Sequence, residues 1–292
     1  MEYLIKDLST MEIQQILQNS IGPRPIAFAS TIDKEGNPNL SPFSFFNVFS
    51  AAPPILIFSP ARRVRDNTTK HTLENILEIP EVVINVVNYS MVQQTSLSST
   101  EYPKGVNEFE KSGFTAIESS LIRPFRVKES PVQFECKVIE TKALGNEGGA
   151  GNLIFCEVLK IHVHENVLNE KNQIDPFKID LVARMGGNWY CRANGAALFE
   201  VEKPLTTMGI GVDALPHLIR FSPILTGNDL GVLGNSATFP NIEELNLYKK
   251  SEEFEILSQT IVHSDFAAHR IAKQLIEENK VKSALLFLLA NN

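Results

Sequence analysis

The chain has 292 residues, 43% hydrophobic and 21% charged, with a formal net charge of −7 at pH 7. That length holds one large β domain with an extension, or two domains, and the composition excludes a mainly disordered chain. The mild acidity is not the electrostatic footprint of a nucleic-acid binder. Cys136, Cys156 and Cys191 include no Cys-x-x-Cys pair, so free thiols in a reducing cytosol are expected, without disulfides or a structural zinc. The N-terminus has no basic segment followed by an apolar core, and the late apolar run 284–290 is far shorter than the roughly 20 residues of a membrane helix. A cytoplasmic protein without membrane association is the expectation.

In chain order, Ser9 and Glu12 form a capping box for a short helix whose apolar positions Ile13, Ile16 and Leu17 share one face, with Gly22 and Pro23 ending it. A β-rich body follows: strands over 26–32, from Leu40, and over 55–58, with a turn at 33–38. Leu73, Ile76 and Leu77 fall at helical spacing before Pro80, and 82–87 reads as a buried strand. Alternation in 132–138 and 153–163, across the glycine-rich turn 145–151, predicts an antiparallel pair. From about Pro204 alternation fades and helical patterns appear, notably Ala267, Ile271 and Leu275 after the candidate N-cap Asp265. A boundary is placed near residue 200.

Residues 24–75 concentrate the chemistry. Phe43, Phe45, Phe46 and Phe49 interleave with Ser44, Asn47 and Ser50, and Arg62, Arg63, Arg65, Lys70, Thr72 and Asn75 follow. Cations and hydroxyls hold phosphate while apolar walls hold a ring, so a phosphorylated planar ligand is the first hypothesis. The plain alternatives are core phenylalanines and a solvated basic turn in which Asn67, Thr68 or Thr72 caps a helix.

Two other motifs are weaker. Gly209, Gly211 and Ala214 match a dinucleotide fingerprint, but Pro216 and Pro223 interrupt the helix that should follow, so turns in a helical extension are preferred. His162 and His164 share a strand face without an identifiable third ligand, so an exposed polar face is preferred over a metal site.

Taken in register, Ile21-Gly-Pro-Arg-Pro-Ile26, Ser30-Thr31, Asn39-Leu-Ser-Pro-Phe-Ser44, Pro53-Pro54, Lys70-His-Thr72 with Asn75-Ile76, and Val83-Ile-Asn85 resemble the FMN-binding split-barrel, flavin reductase-like family. That group includes flavoredoxin and the flavin reductase component of nitrilotriacetate monooxygenase. The resemblance continues through Tyr102-Pro, Asn107-Glu-Phe109, Gly113-Phe-Thr115, Phe134-Glu-Cys136 and Leu181-Val-Ala-Arg-Met-Gly-Gly187 with Tyr190, covering about residues 20–195.

The resemblance implies a mainly β fold: an antiparallel Greek-key split β-barrel over 1–200 with short flanking helices. A C-terminal, largely helical extension over 201–292 has no assigned role. It implies a homodimer with FMN near the subunit interface. Thr31 would contact the cofactor, Ser44, Phe45, Phe46 and Asn47 would line the ring edge, and Ser59, Arg62, Lys70 and Thr72 would hold ribityl and phosphate oxygens. The family often has an acidic residue between the lysine and the threonine, where this chain has His71.

The implied activity is an NAD(P)H-dependent flavin reductase passing hydride from NADH or NADPH to FMN and on to a monooxygenase or other acceptor. No catalytic acid or base is required by that step, and His162, Arg184 and Tyr190 are candidates for the nicotinamide or acceptor side. A flavin-binding electron carrier with little NAD(P)H turnover is the alternative that the long extension raises.

Overall fold

A computed structural model describes residues 1–205, 208–260 and 266–291. The chain divides into two compact units, Met1–Phe199 and Glu200–Asn292. The first opens with α1 (Thr10–Ser20), where the Ser9 hydroxyl accepts from the Glu12 N–H and the Glu12 carboxylate accepts from the Ser9 N–H. Two orphan donors of the first turn are thereby satisfied.

Strands β1 (Ala27–Ile32), β2 (Pro38–Phe43), β3 (Phe46–Ala51) and β4 (Pro54–Phe58) follow, then α2 (His71–Glu78) and β5 (Glu81–Val86). Next come α3 (Val92–Leu97), α4 (Glu108–Ser112) and the short strands β6 (Ala116–Ile117) and β7 (Arg126–Val127). The long hairpin β8 (Val132–Ala143) and β9 (Asn152–Val163) precedes a small hairpin of β10 (Leu181–Arg184) and β11 (Tyr190–Ala193). Seven strands form one sheet in the order β2-β1-β5-β8-β9-β4-β3, with every pairing antiparallel.

β1 is buried along its whole length because both of its faces are covered. Ala27 and Ala29 join Phe43, Phe58, Leu73 and Ile76 in one core, while Phe28 joins Leu40, Met91 and Phe109 in a second. A strand covered on both faces reads as a continuous apolar run instead of an alternating one.

The segment 41–50 is not one strand. Phe43 ends β2 and Phe46 begins β3, and these two strands are the opposite edges of the sheet. Three residue steps reach at most about 11 Å, so the sheet must curl until its edges meet at Ser44 and Phe45. The Phe43 and Phe58 rings, 5.3 Å apart, pack near this corner. β2 and β3 are not hydrogen-bonded neighbours, so the sheet is an open curl, and the expected barrel is present as its antiparallel strands and flanking helices without a closed ring.

The second unit contains α5 (His217–Arg220), α6 (Gly227–Gly234), α7 (Ile242–Tyr248), α8 (Glu252–Gln259), α9 (Ala267–Glu277) and α10 (Val281–Ala290). Leu215, Ile219, Leu233, Tyr248, Leu275 and Phe287 belong to its own core. α10 buries five consecutive residues, Ala284 to Leu288, which accounts for its all-round apolar pattern. Gly209 and Gly211 serve packing here: a Cβ on Gly209 would meet the Gly234 carbonyl oxygen at 2.5 Å, and the Gly211 N–H donates to that oxygen at 3.0 Å. Among the described residues no strand lies between β11, which ends at Ala193, and Gly209, unlike a dinucleotide fold. Asp265, the expected cap of α9, lies outside the described residues. No helix among the described residues is long and apolar enough to cross a membrane.

Candidate functional site

The loop after β4 gathers the cations. Arg62 donates through Nε to Asn67 Oδ1 at 2.5 Å and through Nη2 to the Asn67 carbonyl at 2.6 Å. Asn67 has φ of 56°, a left-handed conformation that Asn tolerates and that turns the loop back on Arg62. Arg63 donates to Thr68 Oγ1 at 2.8 Å and pairs with Glu101 at 2.9 Å, and Arg65 reaches Glu101 at 3.0 Å and Asp66 at 3.2 Å. Lys70 Nζ lies 3.7 Å from Glu101, and burial together with the Arg63 cation lowers its pKa. Hydrogen bonds from Thr68 hold the Asp66 carboxyl down at about 2. Arg62, Arg63, Arg65 and Lys70 against Asp66 and Glu101 leave a surplus of two positive charges.

The glycine-rich turn between β8 and β9 closes its hairpin as expected and also buttresses this loop. Arg62 N–H donates to the Ala150 carbonyl at 2.8 Å, Gly149 N–H to the Arg62 carbonyl at 2.9 Å, and Asn67 Nδ2 to the Asn146 carbonyl at 2.9 Å. A Cβ on Gly148 would sit 3.0 Å from the carbonyl oxygens of Arg63 and Val64, and one on Gly151 would meet Ser59 Oγ at 2.6 Å. Gly148 thus permits close backbone approach, and Gly151 leaves room for the Ser59 hydroxyl.

α2 begins at His71 with Lys70 in the N-cap position and no side-chain cap. The N–H groups of His71 and Thr72 are therefore left to a ligand or to water, while the Leu73 N–H donates to the Lys70 carbonyl at 2.9 Å. The alternative in which Asn67, Thr68 or Thr72 caps the helix is not what the fold adopts. Thr72 is 1% exposed and donates to Asn39 Oδ1 at 2.7 Å; Thr31, 0% exposed, accepts from Asn75 Nδ2 at 3.2 Å. Asn39 donates to the buried carboxylate of Glu108 at 3.1 Å, which also accepts from the Leu40 N–H at 3.0 Å. Burial raises the Glu108 pKa despite those donors. The hydroxyls of Thr31 and Thr72, expected to meet a cofactor, are thus committed inside the fold and anchor α2 on β1 and β2.

At the corner of the curl, Phe45 is 40% exposed, Phe46 is partly buried against the core, and Asn47 is exposed with its Oδ1 accepting from the Val48 N–H at 2.8 Å. The Ser59 N–H donates to the Phe45 carbonyl at 2.8 Å, so this corner adjoins the start of the cation loop.

Ser44 Oγ accepts from Arg24 Nε at 3.4 Å. Sequence reasoning missed the role of Arg24: its guanidinium also donates to the carbonyls of Gln18, Ile21 and Met185 at 2.5, 2.8 and 2.8 Å. Backbone bonds at 2.9 Å in both directions join Arg24 to Arg184, whose guanidinium lies 4.7 Å from the Tyr190 ring centroid. Arg184 and Tyr190 are therefore linked through Arg24 to the Ser44 corner.

His162 belongs to a different arrangement. Its Nε2 lies 2.6 Å from Oε1 of fully buried Glu135, a carboxylate held down at about 2 although burial opposes it, because Ser120 and Leu121 N–H groups and His162 bond to it. His164 faces Gln133 at 3.5 Å, so the two imidazoles have separate partners. Among the described residues no group of three His, Cys, Asp or Glu side chains converges as a metal site. A groove of about 380 Å³ beside Ile256, Ile271 and Leu275 lies in the helical unit and touches none of these residues.

Residues 20–178 match the flavin reductase like domain. The chain belongs to the flavin reductase-like family. It is accordingly a flavin-related oxidoreductase. An uncharacterized protein of Aquifex aeolicus is 35% identical over 201 residues, which is 69% of this chain and 100% of that protein. Among solved structures, nitrilotriacetate monooxygenase component B from Bacillus cereus shares 28% identity with a TM-score of 0.64, covering 69% of this chain and 98% of its own. The 2-nitrobenzoate 2-nitroreductase NbaA of Pseudomonas fluorescens shares 25% identity with a TM-score of 0.60, over 72% of this chain and 100% of its own.

The residues present fit the phosphate of a flavin mononucleotide. A surplus of two positive charges and an uncapped helix start suit a phosphate monoester, which carries up to two negative charges.

Proposed function

We propose that this chain is an FMN-binding oxidoreductase that accepts hydride from NADH or NADPH and passes electrons to a separate acceptor. The observation that carries the reading is the uncapped start of α2 among Arg62, Arg63 and Lys70, adjoining the half-exposed corner at Phe45. When bound, the flavin supplies the hydride and electron-transfer chemistry. The chain's own residues bind, orient and exclude water.

Arg62, Arg63, Lys70 and the first N–H groups of α2, including that of Thr72, hold the phosphate. Ser59 meets the ribityl chain. Ser44, Phe45, Phe46 and Asn47 frame the ring, and Arg184 with Tyr190 lies on the nicotinamide or acceptor side. The domain 1–200 carries this site in a split barrel, and 201–292 is an appended helical unit.

The Bacillus cereus relative is a monooxygenase component, which supports a monooxygenase as the class of acceptor. A homodimer formed through edge strand β3 is supported by Val48 and Phe49, 63% and 64% exposed beside an unpaired edge. Sedimentation of the wild type against Phe49→Asp checks the dimer, which the variant should weaken.

The deciding experiment is a visible spectrum with mass identification of the ligand released from purified protein, followed by stopped-flow mixing with NADH and with NADPH. FMN that bleaches with either nucleotide supports the reductase. Flavin that stays oxidised with both would make the chain a carrier, and absence of flavin binding would overturn both readings. Arg62→Ala with Lys70→Ala should weaken FMN at least about tenfold more than riboflavin, since only FMN carries the charged group.

A further inference from the structure

The cation loop holds an anion of its own. Glu101 Oε1 is shared between Arg63 Nε at 2.9 Å and Lys70 Nζ at 3.7 Å, while Oε2 takes Arg65 Nη2 at 3.0 Å. One carboxylate thus serves three of the four cations. It is brought there from a distant part of the chain, since Glu101 lies on the irregular segment 98–107 between α3 and α4.

The same segment is pinned a second time where Lys104 Nζ lies 3.5 Å from Glu74 Oε2 on the first turn of α2. Gly105, at φ of 85° with open space around its Cβ position, makes the turn. The segment is a strap tied at Glu101 to the cation loop and at Lys104 to the first turn of α2. Its Glu101 side chain is 42% exposed, so no packed core fixes the carboxylate in place.

We propose that Glu101 is an affinity-setting residue: an internal counter-ion that competes with the ligand phosphate for Arg63 and Lys70 and so weakens and speeds the release of phosphate-bearing flavin. This rests on the phosphate assignment above. A bound dianion within a few ångströms of a carboxylate is repelled by it, and both draw on the same limited set of N–H donors. With the ligand absent, the carboxylate relieves the repulsion among Arg63, Arg65 and Lys70. With the ligand present, the same charge opposes it. Riboflavin, which lacks the phosphate, is indifferent to this competition.

The test uses the purified full chain, stripped of flavin and titrated with FMN and with riboflavin, for the wild type, Glu101→Gln, Glu101→Ala and Lys70→Ala. The expected result is FMN affinity about tenfold higher in both Glu101 variants, with slower FMN dissociation and riboflavin affinity unchanged. If the Glu101 variants bind FMN equally or more weakly while Lys70→Ala loses FMN selectively, the competitor role is overturned and the phosphate assignment stands. If Lys70→Ala leaves the FMN-to-riboflavin ratio unchanged, the phosphate assignment falls and the competitor role falls with it.

Discussion

The Thr72 hydroxyl donates to Asn39 Oδ1 at 2.7 Å, joining the first turn of α2 to edge strand β2. Asn39 passes the connection on to the Glu108 carboxylate at 3.1 Å, so three separate elements meet on one amide. The helix that carries the proposed phosphate contacts is positioned by a buried network.

Asn39→Ala should therefore leave the Thr72 hydroxyl and the Glu108 carboxylate short of a partner. Each orphaned buried group costs about 1–3 kcal/mol, so the expected loss in urea unfolding is on the order of 3 kcal/mol. A variant as stable as the wild type would show that the network is dispensable.

Arg24→Lys tests the clamp behind the Ser44 corner. One ammonium cannot reproduce a planar fork that reaches Gln18, Ile21, Ser44 and Met185 together. We expect a stability loss of about 2 kcal/mol and faster hydrogen exchange of the Arg184 amide, whose N–H donates to the Arg24 carbonyl at 2.9 Å. Unchanged exchange there would separate the β10–β11 hairpin from the clamp.

Gly148→Ala places a methyl 3.0 Å from two carbonyl oxygens of the cation loop, and backbone atoms cannot swing aside as a side-chain end can. Overpacking of this kind costs about 1–3 kcal/mol. The expected outcome is a several-fold loss of FMN affinity through displacement of Arg62 and Arg63, measured by fluorescence titration. A wild-type affinity would mean that the hairpin tip does not set the loop.

His269 gives the helical unit a pH dependence. Its Nδ1 lies 2.7 Å from Ser222 Oγ, and burial lowers its pKa from the ordinary 6.5. The hydroxyl also accepts from the Ile224 and Leu225 N–H groups at 3.1 Å, so its proton points to a neutral imidazole. Below 6.5 the unfolded chain takes up a proton that the native imidazole refuses. Stability is therefore full above that value and falls as pH drops through the window beneath it. Thermal melts from pH 5 to 8 should show this slope in the wild type and a shallower one in His269→Gln; equal slopes would remove His269 as the cause.

Patterns confined to one element were legible in the sequence. The Ser9 and Glu12 capping box, the burial of Leu73 and Ile76 on α2 and the β8–β9 pair depend on spacing along a few turns or pleats, which the chain displays directly, although Leu77, at the same helical spacing, is exposed. The family was legible for a related reason, because many short motifs in register over residues 20–195 jointly specify what none does alone.

What tertiary structure alone decided is how residues far apart in sequence divide their hydrogen bonds. Thr31 on β1 and Thr72 at the start of α2 were ligand candidates by resemblance, and a hydroxyl reads the same in a sequence whether it faces solvent or a buried amide; the fold commits both to Asn39 and Asn75. The strand expected from Leu40 ends at Phe43; the two-residue break at Ser44 and Phe45 has no turn signature in the sequence, and only the curl of the sheet requires it. Glu101 lies 36 residues from Arg65 and the glycine-rich turn about 80, yet long-range packing brings both to the cation loop. Local periodicity fixes which elements form. Which polar atoms remain free for a ligand depends on closure of the whole sheet.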